Sequence, residues 1–132
     1  MVKEVVVITG GTSGLGKACV ERFRQDGYDV VFCGRNTEAG DKIATEFEST
    51  FIKCDVTKPE EVQNLFDQVS LLEPEKNRKS SNFKVKEKFG RCDAIINNAG
   101  IINDAGKIVD MSLDDYHKIM KVNCDGAFYV LK

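Results

Sequence analysis

The chain has 132 residues, enough for one domain with a modest core, and its 42% apolar and 30% charged residues are ordinary for a globular protein. A net charge of −2 argues against a general binder of nucleic acid or anionic membranes, and no apolar run approaches the ~20 residues of a membrane span. The apolar stretch after Met1-Val2-Lys3-Glu4 breaks at Thr9-Gly10, too soon for the core of a signal peptide. Five cysteines (19, 33, 54, 92 and 124) form no C-x-x-C pair and meet a single histidine, so no metal site is expected. Reduced thiols of a cytoplasmic α/β protein fit this pattern.

Val5-Val6-Val7-Ile8 is a continuous apolar run, as a strand buried on both faces requires. Leu15, Ala18, Cys19 and Phe23 then recur at helical spacing until Gly27. Val30 to Cys33 reads as a second buried strand. Asn36 is placed to cap a helix carrying Ala39, Ile43 and Phe47, and Phe51-Ile52 reads as a third strand ending at Cys54-Asp55. Thr57-Lys58-Pro59-Glu60 has the form of a capping box, opening a helix with Val62, Leu65, Phe66 and Val69 on one face. Ala94-Ile95-Ile96 reads as a fourth strand, and Ser112-Leu113-Asp114-Asp115 as the cap of a last helix. The order β-α-β-α-β-α-β-α predicts a doubly wound parallel sheet of the Rossmann type.

Thr9-Gly10-Gly11-Thr12-Ser13-Gly14-Leu15-Gly16 lies between a buried strand and a helix. Glycines there permit a tight turn and let a phosphate approach the helix N-terminus, where free N–H groups and the helix dipole favour an anion. The spacing is T-G-x-x-x-G-x-G, neither G-x-G-x-x-G nor a Walker loop. Asp55 stands after strand three, where a carboxylate can accept from an adenine amino group or simply shape a turn. Asn97 and Asn98 follow strand four, at the sheet end where ligands of open α/β folds bind. Asn123 is a poor helix former within a helix. Asp or Glu at the end of strand two would hold the ribose hydroxyls of NAD; this chain has Cys33-Gly34-Arg35-Asn36, and Arg35 suits a 2′-phosphate. The expected cofactor is therefore NADP(H), favoured over NAD(H).

These residues together resemble the short-chain dehydrogenase/reductase family. Thr9-Gly10-x-x-x-Gly14-x-Gly16 is similar to its cofactor turn, Asp55-Val56 to the pair that meets adenine, Asn97-Asn98-Ala99-Gly100 to its N-N-A-G motif, and Lys121-Val122-Asn123 to the segment with its catalytic asparagine. The resemblance implies an oxidoreductase exchanging hydride between a nicotinamide cofactor and a small carbonyl/alcohol substrate, with no nucleic-acid partner and, in a full-length member, homo-oligomers. It implies cofactor contacts at Thr9, Gly10, Thr12, Ser13, Gly14, Leu15, Gly16, Arg35, Asn36, Asp55, Val56, Asn97, Asn98, Ala99, Gly100 and Val122. Asn123 would hold a water in the proton relay.

The family's chemistry also needs a serine and Tyr-x-x-x-Lys. Four residues after Tyr28 and Tyr116 stand Phe32 and Met120, and Tyr129 has no fourth successor. The expectation is a partial Rossmann domain over 1–132, truncated after the fourth strand and following helix and inactive alone. The alternative is a non-catalytic nucleotide-binding or interaction module. His117, the only histidine, follows Tyr116 on the last helix and reads as a surface or interface side chain, not a general base. Residues 70–85, charged and without helical periodicity, read as a flexible surface insertion.

Overall fold

The computed structural model describes residues 3–69, 90–104 and 106–132. Four strands, β1 (Val5–Thr9), β2 (Asp29–Gly34), β3 (Thr50–Lys53) and β4 (Ala94–Ile96), form one parallel sheet in the order β3-β2-β1-β4. Val7 lies level with Val31 on one side and Ile95 on the other. Helices α1 (Gly14–Gln25), α2 (Thr37–Glu46) and α3 (Pro59–Val69) alternate with the strands. After β4 come a short 3₁₀ turn (Ile108–Asp110) and a long helix. That helix consists of α4 (Leu113–Met120), a wide π-helical turn (Lys121–Gly126) and α5 (Ala127–Leu131).

Strand side chains alternate between the two faces, and both faces are covered, which is why the strands read as unbroken apolar runs. Val5, Val7, Val31, Cys33 and Ile52 pack with Leu65 and Val69 of α3 and Val130 of α5. Val6, Ile8, Val30 and Phe32 pack on the other side with Val20 of α1 and Ile43 of α2. Among the described residues no helix is long and apolar enough to cross a membrane.

The predicted caps of α2 and α4 are present. Asn36 Oδ1 accepts from the Ala39 N–H at 3.0 Å, and Ser112 Oγ from the Asp115 N–H at 3.1 Å. The entry to α3 differs from the expected capping box. The Thr57 N–H and hydroxyl both donate to Asp55 Oδ1 (3.0 and 2.8 Å), and the Asp55 N–H donates to Glu61 Oε2 at 2.7 Å. An aspartate two residues earlier offers the backbone an Asx-type turn, and it takes the threonine that would have been the cap. The long helix was expected as one regular element and is instead interrupted by its π turn. The expected insertion at 70–85 lies outside the described residues.

Candidate cofactor site

The strand order reverses between β1 and β4, and in open α/β sheets a crevice opens at such a point beyond the strands' C-terminal ends. There lies a cleft of about 320 Å³. Its floor is the turn from Gly10 to Leu15. One wall comes from Gly34, Arg35, Cys54, Asp55 and Val56, the other from Asn98 to Ile101, with Val122 of the long helix above.

The turn needs its glycines for two separate reasons. Gly10 has φ +67° and would bring a Cβ within 2.9 Å of Ala99 Cα. Gly16 has no such torsion, but a Cβ there would lie 2.0 Å from the Gly10 carbonyl oxygen, so α1 can start against the turn only if residue 16 has no side chain. No side chain caps α1 at Ser13, which leaves the first-turn N–H groups facing the cleft without that partner.

Thr9 is fully buried at the end of β1, where its Oγ1 accepts from the Asn98 and Ala99 N–H groups, both at 3.0 Å. Asn98 Nδ2 answers by donating to the Thr9 and Gly10 carbonyls at 3.1 and 3.3 Å. The glycine turn and the segment after β4 are thereby clamped to each other. Asn97 Nδ2 donates to the Ala127 carbonyl at 2.9 Å, fastening β4 to α5. Asn123 pairs with the Ile101 backbone through both ends of its amide, accepting from the N–H and donating to the C=O at 2.8 Å each. It does so from within the π turn, a helix irregularity that is frequent at functional sites.

Charges in the cleft are few. Burial pushes the Asp55 carboxyl up, but the Thr57 N–H and hydroxyl together with the Arg35 guanidinium outweigh this and hold it below the usual carboxylate range. Oδ1 is occupied by Thr57, so Oδ2 is the oxygen left for a ligand. The neighbouring Cys33 thiol and burial push the Cys54 thiol up.

Of the residues singled out from sequence, Gly10, Thr12, Ser13, Gly14, Leu15, Arg35, Asp55, Val56, Asn98, Ala99, Gly100 and Val122 line one cleft. Thr9, Gly16, Asn97 and Asn123 are not among the lining residues; they hold the segments that carry it through hydrogen bonds and, at Gly16, close backbone approach. Asn36 points its side chain into the α2 cap. His117 is exposed on α4. Sequence reasoning passed over Gly34, Cys54 and Ile101. A Cβ at Gly34 would come within 2.7 Å of Thr12 Cγ2, a contact between two loops far apart in the chain. Ile101 contributes its backbone to Asn123, and only its place directly after N-N-A-G could have drawn attention to it.

The short chain dehydrogenase family model matches residues 4–132. This chain belongs to the short-chain dehydrogenase family. It is 34% identical over 130 residues to tropinone reductase-like 2 of Erythroxylum coca, covering 95% of this chain and 42% of that protein. With the 3beta-hydroxysteroid dehydrogenase of Mediterraneibacter gnavus it shares 29% identity over 132 residues, covering 96% of this chain and 42% of that one. In fold it is similar to a 3-ketoacyl-(acyl-carrier-protein) reductase from Brucella melitensis, solved with NADH. The TM-score is 0.81 at 23% identity, covering 98% of this chain and 48% of the other. This short-chain dehydrogenase chain thus spans under half the length of these relatives. It carries the family's dinucleotide-binding Rossmann fold.

Proposed function

We propose that this chain is the cofactor-holding half of an NADP(H)-dependent oxidoreductase acting on a carbonyl/alcohol pair. The observation that carries the reading is the cleft itself: a glycine turn at a helix N-terminus, a carboxylate at Asp55, and an exposed arginine, not an acid, directly after β2. The residues fit such a group. A Cβ placed on Gly14 meets nothing within 4 Å, so the space before α1 is open where a pyrophosphate would rest. The N–H groups of the first turn of α1 would bind the pyrophosphate, Asp55 Oδ2 the adenine amino group, and Arg35 the 2′-phosphate. The cofactor, when bound, donates or accepts a hydride. Thr9, Asn98 and Asn123 keep the turn, the N-N-A-G segment and the helix in fixed relation, so that the site is formed before a ligand arrives. The family's serine and Tyr-x-x-x-Lys do not occur among these 132 residues, so the chain by itself binds cofactor without turning substrate over.

Titration calorimetry of the chain with NADPH and NADH tests this. NADPH is expected to bind more tightly, and Arg35→Asp to erase or invert the preference. A charge-assisted contact of this kind is worth ~1.5–3 kcal/mol, roughly ten- to a hundredfold in affinity. Equal or tighter binding of NADH by the unaltered chain would overturn the assignment.

A further inference from the structure

Between β3 and α3 the chain is pinned at every polar atom of Asp55 but one. The Asp55 carbonyl accepts from the Lys58 N–H at 3.0 Å, and Oδ1 accepts from the Thr57 N–H and hydroxyl. The Asp55 N–H donates to Glu61 Oε2 at 2.7 Å. Among the described residues, that leaves Oδ2 to meet a ligand.

The bond to Glu61 is the unusual one. Glu61 is the third residue of α3, where a capping-box glutamate turns back to the N–H just before the helix. Here that N–H belongs to Lys58 and is taken by the Asp55 carbonyl, so Glu61 reaches past it to Asp55. β3 is the last strand in the sheet order, and N–H groups on its outer side meet no further strand. The Cys54 N–H faces β2 and bonds the Gly34 carbonyl at 3.0 Å; the Asp55 N–H, the next along the chain, goes to Glu61 instead.

Glu61 is itself fixed. The Asp55 N–H and the Lys58 ammonium, which donates to Oε1 at 3.0 Å, hold its carboxyl below the ordinary carboxylate range. Lys58 also attracts the Asp55 carboxylate, which offsets the repulsion between the two acids. Glu61 does not line the cleft, whereas Asp55 and Val56 do. Anything Glu61 does for a ligand therefore passes through Asp55.

We propose that Glu61 is a positioning residue of the cleft: by gripping the Asp55 N–H it aims Oδ2, and so makes the cleft select a 6-aminopurine dinucleotide over a 6-oxopurine one. This role rests on the reading of the cleft as a dinucleotide site. The amino group of adenine donates to an acceptor held in one place, whereas hypoxanthine sets an oxygen there and two acceptors face each other. An Asp55 free to swing would accommodate either base. Held from its backbone, it cannot.

Titration calorimetry of the full chain with NADPH and with reduced nicotinamide hypoxanthine dinucleotide phosphate tests the proposal. The unaltered chain is expected to favour NADPH by at least ~tenfold. Two variants separate reach from charge. Glu61→Asp keeps the charge but is one methylene too short for the Asp55 N–H, and should cut that preference ~fivefold or more. Glu61→Gln keeps an oxygen at the same reach without the charge, and should hold the preference within ~twofold. A merely structural role would weaken both ligands alike and leave their ratio unmoved. In the unliganded chain, hydrogen exchange of the Asp55 amide should quicken in Glu61→Asp and not in Glu61→Gln, with circular dichroism confirming that both variants fold. A preference that survives Glu61→Asp, or falls equally in Glu61→Gln, would overturn this role alone, as would equal binding of the two dinucleotides by the unaltered chain. An unaltered chain that binds neither would overturn the reading of the cleft and this role with it.

Discussion

β1 and β4 run side by side in one sheet, yet their surroundings differ. All five residues of β1 are buried, with a strand on each side and helices on both faces. All three residues of β4 are only half-buried; among the described residues β4 pairs with β1 alone, and the helix that follows turns an apolar row outward. The glycine turn belongs to the first region, and its geometry is locked by contacts that leave no slack. The second region has surface to spare. Substitutions should therefore be costly around β1 and cheap on the outward row, and a chain that violated this would show that the covered half is not the stability centre.

The largest effect is expected at Gly16. A valine there drives a Cβ into the Gly10 carbonyl and to 2.7 Å from Asn98 Nδ2, both parts of the clamp. Overpacking against backbone of this kind costs about 3 kcal/mol. Urea unfolding should show that loss, and dinucleotide binding should vanish with it. Leu113→Gln on the outward row should change monomer stability by no more than ~0.5 kcal/mol. Comparable losses at the two positions would break the comparison.

Next comes Thr9→Val, which is isosteric but removes the acceptor for two N–H groups. Leaving buried donors unsatisfied costs ~1–3 kcal/mol each, so a total of about 2–3 kcal/mol is expected when one of them finds water. Thr9→Ser keeps the oxygen and should recover most of that. If valine were as stable as threonine, the two N–H groups would not depend on the hydroxyl.

Thr9 shows what a sequence can disclose. The element order, the four strands, the caps at Asn36 and Ser112, and the turn between β1 and α1 were all legible, because each follows from local chemistry: apolar runs, capping side chains, glycine spacing. Most of the cleft lining was legible for the same reason. What stayed hidden depends on contacts between segments remote in the chain. Asp55 displaced Thr57 as the organiser of the α3 entry because Glu61 reaches back six residues to its N–H. Gly34 matters because Thr12 packs on it, and Ile101 because Asn123 grips its backbone. The π turn at Lys121–Gly126 has no sequence signature of its own.

A smaller, pH-dependent effect is expected where β4 is fastened to β1. Asp93 receives the Arg91 guanidinium and the Val5 N–H (2.7 Å), which hold its carboxyl below the ordinary carboxylate range. Hydrogen bonding to Thr57 does the same for Asp55 against its burial. A carboxylate whose folded value is depressed adds stability above its unfolded value near ~4, and loses it as the pH falls through the folded value. Urea midpoints should therefore decline from about pH 5 downward. Asp93→Asn should lower the midpoint at neutral pH and flatten the decline. An unchanged slope would mean that β4 is held by its backbone pairing alone.

The smallest effect is expected from removing residues 70–85, which lie outside the described residues. Their composition supplies no apolar face, and they lie apart in sequence from every cofactor motif. Joining Val69 to Lys86 places Phe89 four positions after Val69, continuing the spacing of Val62, Leu65 and Val69 by one more turn. The connection from α3 to Gly90 also shortens from 20 residues to 4, since 16 are removed, and loop-closure entropy then favours the shorter chain by about 1 kcal/mol. The deleted chain should melt at the same temperature or a few degrees higher, with its NADP(H) affinity unchanged. A destabilisation of more than ~2 kcal/mol, or a tenfold loss of affinity, would make the segment an integral part of the covered half.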